Sequence, residues 1–148
     1  MKLISHRGNI DGRNPDRENH PDYIDEAIAL GYDVEIDIWS KDGILYLGHD
    51  TYQYKTDIYW IEKRANHLWI HCKNIEALET AYWFRNTKDF HYFWHQEDTV
   101  TLTSKGFIWA YPGKQPIINS IAVMPEINND NVSKCIGVCS DYIQKYRK

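Results

Sequence analysis

At 148 residues the chain is one domain with room for an ordinary hydrophobic core. A formal charge of −4 and the lack of any basic block argue against long nucleic acid as a partner, and the absence of a basic amphipathic helix argues against stable membrane association. Three cysteines at no metal-ligand spacing, no leader-like segment and no apolar run of membrane length predict free thiols and a soluble, cytoplasmic protein. Six Trp and eleven Tyr supply large side chains with a polar handle, suited to a barrel interior or a pocket wall.

Lys2 to His6 reads as a first strand, and the following Gly8 to Asn19 is too polar to be anything but a surface loop. Pro21 opens a helix running to about Leu30, with Asp22, Asp25 and Glu26 toward its positive end and Gly31 as its stop. Tyr32 to Trp39 is a second strand, joined through the two-residue hairpin signal Asp42-Gly43 to Ile44 to Leu47. Asp57 to Asn66 predicts a second helix and Leu68 to Cys72 a strand. Asn74 caps a third helix over Ile75 to Arg85, with Ile75, Leu78 and Tyr82 as its buried stripe. This alternation is that of a parallel α/β sheet.

Beyond residue 88 short strands follow one another with little room for helices: Phe90 to Trp94, Val100 to Thr103, Phe107 to Tyr111, Ser120 to Met124 and Ile136 to Cys139. Asp141 to Lys148 reads as a closing helical turn. With the three earlier parallel strands they make eight, the number of a (β/α)8 TIM barrel, which ordinarily takes about 250 residues. The expected fold is therefore a compact (β/α)8 TIM barrel spanning the whole chain, with several later crossover helices shortened or missing. Strands left uncovered by missing helices would make a homodimer plausible.

Chemistry concentrates in the first half of the chain. Side chains alternate along a strand, so Val34, Ile36 and Ile38 share one face while Glu35 and Asp37 share the other. Two carboxylates roughly 7 Å apart along one strand are costly in a sheet buried on both faces unless a cation compensates them. A hard dication such as Mg2+ or Ca2+ would do so, and an ion-pair network with Arg7 and Lys73 is the alternative. His6 closes the first strand and His49 follows the hairpin past Gly48. Imidazoles are suited to paired acid and base roles near neutrality. Lys73 shares a strand face with His71 and can neutralise a phosphate oxygen. Trp109 and Tyr111 alternate onto one face with Phe107, as a pocket wall or as core.

The ordered set His6-Arg7-Gly8, Glu18-Asn19, Glu35-x-Asp37 and His49-Asp50 resembles the glycerophosphodiester phosphodiesterase family, one of the barrel phosphodiesterases similar to phosphatidylinositol-specific phospholipase C. The resemblance implies metal-dependent hydrolysis of a small phosphodiester, most readily a glycerophosphodiester. Glu35, Asp37 and either Glu18 or His71 would hold the cation, Arg7 and Lys73 the phosphate, and His6 with His49 would be the acid-base pair. The family's later Glu-x-Lys strand reads His71-Cys72-Lys73 here. If this histidine ligates, it moves preference away from Ca2+ toward Mg2+, Mn2+ or Zn2+; otherwise it packs in the interior. Ser140-Asp141-Tyr142 resembles the family's last strand end, with no catalytic role assigned to Asp141. A non-catalytic phosphate or sugar-phosphate binding module and a small-nucleotide phosphodiesterase are the competing functions.

Overall fold

The computed structural model describes residues 1–148 as ten strands and three α-helices. In chain order these are β1 (Lys2–His6), α1 (Pro21–Ala29), β2 (Asp33–Lys41), β3 (Ile44–Leu47), β4 (Tyr54–Thr56), α2 (Ile58–Glu62), β5 (Leu68–Cys72), α3 (Ile75–Phe84), β6 (Tyr92–Trp94), β7 (Val100–Leu102), β8 (Ile108–Ala110), β9 (Ser120–Val123) and β10 (Gly137–Ser140). Two 3-10 turns, Pro125–Ile127 and Ile143–Tyr146, complete the chain. No helix is long and apolar enough to cross a membrane.

Seven strands pair in parallel in the order β6-β5-β2-β1-β10-β9-β8. Two antiparallel additions flank them: the β3–β4 hairpin continues from the far end of β2, and β7 folds back on β8. The result is a sheet-rich, curled half-barrel and not the (β/α)8 TIM barrel expected from the strand count. The reason lies in the connections between the later strands, which hold no α-helix. A parallel crossover normally uses a dozen or more residues, most of them helix. Here residues 111–119 carry no helix and residues 124–136 hold only a 3-10 turn. The segment expected to run as another parallel strand at Val100 is instead a hairpin arm, antiparallel to β8.

Helices cover only the first half of the sheet. Asp57 and Asn74 cap α2 and α3 by accepting from the backbone N–H of Trp60 and Ala77, and the ring of His20 accepts from the N–H of Asp22 at the start of α1. Ile24 and Ala27 of α1, Ile61 of α2, and Ala77 and Ala81 of α3 pack on Val34, Ile36, Ile38 and Ile70. In α3 the buried stripe is thus the pair of alanines; Ile75 is 68% and Tyr82 52% exposed. Small residues let this helix lie close on the sheet, so the larger apolar ones face outward and Leu78 is only partly buried. The opposite, concave face of the sheet is lined by Ile4, Trp69, Phe93, Trp109, Ile121, Val123 and Cys139. All three cysteines are free.

His91 belongs to this concave layer, its ring 4.0 Å from that of Trp69 and its Nε2 2.8 Å from Thr103 Oγ1. Burial, helped by the charges of Lys105 and Lys2, pulls its pKa down to about 3. Above the ordinary histidine pKa both folded and unfolded chains are neutral here. Below it the unfolded chain takes the proton and the folded chain does not, so stability falls as pH drops from about 6.5 toward 3. By pH 5 this one group is expected to cost about 2 kcal/mol. Urea midpoints of wild type and His91→Gln between pH 7 and pH 5 measure it; the variant should show the shallower acid loss.

Candidate functional site

The site forms where the strands β1, β2, β5 and β10 end at the mouth of the curl. The β1–β2 register sets His6 opposite Glu35, and the β2–β5 register sets Asp37 opposite His71. Parallel pairing in register stacks the alternating polar positions of neighbouring strands on the same face. The concave face that is apolar deeper down therefore becomes polar at this end. A cavity of about 620 Å³ opens there, lined by His6, Arg7, Glu35, His49, His71, Lys73, His95, Trp109 and Tyr111 among others.

Arg7 reaches the cavity through its backbone. β1 ends at His6, and Arg7 adopts a left-handed conformation at φ 56°, which swings its side chain to the same side as that of His6. The next residue must be glycine: Gly8 has φ 94°, and a Cβ there would lie 2.7 Å from the Tyr23 ring. Arg7 then sits between three carboxylates. Its Nη1 donates to Glu18 Oε2 at 3.2 Å, and its Nε lies 3.0 Å from Asp37 Oδ2. Burial alone would lower its pKa, but Asp37, Glu35 and Glu18 outweigh that and keep it charged.

Glu35, Asp37 and His71 offer ligand atoms that all lie within 4.8 Å of one another, and all three residues are buried; this cluster could hold a metal ion. The two carboxylates are held differently. Asp37 Oδ2 accepts from Asn19 Nδ2 at 2.8 Å, its backbone N–H donates to Asn19 Oδ1, and Lys73 Nζ is 3.7 Å from Oδ1. Burial opposes its charge, yet His71, Arg7 and Lys73 hold it far below the usual carboxylate range. Glu35 is only 3% exposed and its Oε2 has no hydrogen bond. Its nearest histidine nitrogens are His71 Nδ1 at 3.7 Å and His6 Nε2 at 3.9 Å. Burial and the charge of Asp37 raise its pKa. Asp37 Oδ1 is likewise buried without a hydrogen bond. An acid pair with one unbonded oxygen on each member is the environment that a dication completes, so the residues present fit such an ion.

Glu18 stands apart from this cluster. Its carboxylate accepts from Asn9 Nδ2, Arg7 Nη1 and Arg13 Nε, and these bonds, against the opposing effect of burial, keep it ionised. It orients Arg7 and the polar loop after β1, and it is not among the three residues whose ligand atoms lie together. Arg7, Lys73 and His71 all lie within ion-pair distance of Asp37, and His71 also of Glu35.

Two histidines border the same cavity with carboxylate partners. His6 Nδ1 is 2.6 Å from Asp141 Oδ1, just past β10, leaving Nε2 on the side of Glu35. Burial would lower the His6 pKa, but the Asp141 hydrogen bond and the Glu35 charge raise it overall. His49 Nδ1 is 2.6 Å from Asp50 Oδ1, and burial together with the Arg7 charge lowers its pKa. Trp109 is fully buried at the cavity floor, and Tyr111 stacks on His95 with ring centroids 3.9 Å apart.

Four contributors escaped the reading of the sequence. Asp141 lies 135 residues from the histidine it holds, and Asn9 braces that carboxylate from the β1 loop at 2.9 Å. Asn19 was visible only as half of a Glu-Asn pair, with no sign that it would grip Asp37 from both sides. His95, with Nδ1 buried and unbonded, follows β6, whose position beside β5 is a tertiary fact. A polar residue following a strand-like run was the only local signal. No protein-family model matches this chain, and neither a curated protein nor a solved structure matches it.

Proposed function

We propose that this protein is a phosphoric diester hydrolase that uses a divalent cation and a pair of histidines, with a small, soluble phosphodiester such as a glycerophosphodiester as its substrate. The observation that carries the reading is one cavity lined by both His6 and His49, each paired with a carboxylate, beside the Glu35–Asp37–His71 cluster and the cations Arg7 and Lys73. The ordered motif set that resembles the glycerophosphodiester phosphodiesterase family supports it. A cation held by Glu35, Asp37 and His71 would supply charge stabilisation to a non-bridging phosphate oxygen.

The chain's own groups do the rest. Arg7, clamped by Glu18, presents a planar fork of donors to the phosphate, and Lys73 adds a second positive charge on the other side of Asp37. Asp141 accepts from Nδ1–H of His6 and Asp50 from Nδ1–H of His49, which leaves each Nε2 for the reaction, unprotonated on the ring that acts as base and protonated on the ring that acts as acid. The two rings divide the two proton transfers. One takes the proton from the attacking water or substrate hydroxyl, and the other gives a proton to the departing alkoxide. A first attack by a neighbouring substrate hydroxyl, through a cyclic phosphate, uses the same two rings.

The test is hydrolysis of bis(p-nitrophenyl) phosphate and glycerophosphocholine by chelator-treated protein with Mg2+, Mn2+ or Ca2+ restored, beside His6→Ala and Glu35→Ala. Turnover that requires the ion and falls at least about 100-fold in each variant is expected. A folded protein with no turnover under any ion, yet binding inorganic phosphate, would replace the hydrolase with a phosphate-binding module. Preference for a nucleotide diester over glycerophosphocholine would overturn the substrate.

A further inference from the structure

We infer that the cluster selects a first-row transition ion of the Mn2+ to Zn2+ series over Ca2+ and Mg2+, with Nδ1 of His71 as its nitrogen ligand. The inference rests on the cation site of the proposed function, and goes beyond it by naming the class of ion and the donor atom that chooses it.

The argument starts from the far side of the ring. His71 Nε2 lies 3.0 Å from the backbone carbonyl of His95. A carbonyl oxygen only accepts, so Nε2 carries a hydrogen, and Nδ1 is the nitrogen whose lone pair an ion can take, in place of a proton facing Asp37. The ring cannot easily turn to exchange the two, because Phe93 stacks on it with ring centroids 5.0 Å apart and planes 9° from parallel. Nδ1 is thus held toward the acidic pair, 3.0 Å from Asp37 Oδ1 and 3.7 Å from Glu35 Oε1. Nδ1 among carboxylate oxygens calls for a positive charge between them, a proton facing Asp37 in the ion-free protein or a dication in its place. The buried Glu35 Oε2 has no hydrogen bond, which leaves a ligand position open on the acid pair.

An imidazole that gives one nitrogen to a backbone carbonyl and aims the other at two carboxylates has the bonding habit of a metal-ligating histidine. The donor set then decides the ion. Ca2+ takes six to eight oxygen ligands and Mg2+ a near-ideal octahedron of oxygens, many of them water. Neither gains from an imidazole nitrogen at the expense of an oxygen, whereas Mn2+, Co2+ and Zn2+ accept nitrogen readily, with Mn2+ at the weak end of the first-row order. Charge points the same way. Two carboxylates and a neutral ring balance a dication, so the loaded site does not repel an incoming phosphodiester anion; a third carboxylate at position 71 would leave it negative.

The experiment measures binding without substrate, so its failure and that of the hydrolase reading are separable. Chelator-treated protein is titrated with Co2+ and followed by visible absorption, then challenged with Zn2+, Mn2+, Mg2+ and Ca2+; calorimetry gives each affinity. The expected result is a Co2+ ligand-field band displaced by about one equivalent of Zn2+ and unaffected by a 100-fold excess of Ca2+. In His71→Glu, Zn2+ affinity should fall at least about tenfold while Ca2+ affinity rises. Glu35→Gln should abolish the Co2+ band while the near-ultraviolet dichroism stays native, which excludes binding at the exposed histidines. If His71→Glu fails to fold, His71→Gln gives the same loss of Zn2+ affinity. Equal affinity for Ca2+ and Zn2+ in the wild type, unchanged Zn2+ binding in both His71 variants, or no ion bound at all would overturn the inference. Transition-ion binding without hydrolysis would uphold it and sink the hydrolase; Ca2+-specific turnover would do the reverse.

Discussion

Glu35→Gln is expected to eliminate ion-dependent turnover and, in chelator-treated protein, to raise stability. The opposite signs follow from the geometry of one carboxylate. Glu35 is buried beside Asp37, has no hydrogen bond on Oε2, and meets histidine nitrogens only at 3.7 Å and 3.9 Å. Without an ion its charge is a liability, which is why burial and Asp37 raise its pKa. A raised acid pKa means that the stability associated with this group is full at low pH and is lost as pH rises through the folded-state value. Glutamine keeps the shape and removes the charge. A gain of roughly 1–3 kcal/mol near neutral pH is expected for the ion-free protein, seen as a higher melting temperature. With ion present the order reverses. Wild type at an ion concentration 100 times its Kd gains about 2.7 kcal/mol by mass action, and the variant, lacking a ligand, gains little. Thermal denaturation with and without chelator measures both. An ion-free variant less stable than wild type would show that Glu35 is a structural carboxylate compensated by its histidine neighbours.

The second large effect is expected at Asp141. Asparagine there should lower kcat by roughly 10²–10⁴-fold while KM changes little, because the carboxylate fixes which nitrogen of His6 bears the hydrogen. Asp141 only accepts, so Nδ1 must donate and Nε2 is left free. Asparagine can turn its NH2 toward Nδ1 and reverse the tautomer, and Asn9 Nδ2, 2.9 Å from the same oxygen, constrains the amide further. Asp141 acts as a positioning residue, and its readout is the split between kcat and KM with an unchanged fold. Partial recovery in Asp141→Glu would support this role. A parallel loss of kcat and of melting temperature, with no recovery in Asp141→Glu, would mean that the Asp141–Asn9 contact only ties β10 to the loop after β1.

The acid pair on β2 was legible because strand alternation is local: Glu35 and Asp37 face one side whatever the rest of the chain does, and Val34, Ile36 and Ile38 require the other side to be core. Likewise the caps at Asp57 and Asn74 and the hairpin at Asp42-Gly43 are decisions of a few neighbouring residues. Arg7 was harder. On strand spacing it should face away from His6, and only the left-handed backbone at the strand end, made possible by Gly8, brings it round. In α3 the apolar spacing of Ile75, Leu78 and Tyr82 does not mark the buried face. The sheet admits the helix only closely enough for Ala77 and Ala81, leaving Ile75 and Tyr82 exposed.

Counting strands could not say how they would be joined. The segments after β6 carry no α-helix back across the sheet, so the second half became hairpins and loops, and the expected barrel became an open curl. By itself, the sequence determined the strand faces, the caps, and the presence of two carboxylates on one face of β2, all set by dihedral preference and side-chain period over a few residues. Tertiary structure alone decided that β10 would lie beside β1 and deliver Asp141 to His6, that β5 would set His71 against Asp37, and that Glu18 would serve Arg7. Those pairings depend on strand register between segments far apart in the chain, and register is settled by packing the whole concave face at once.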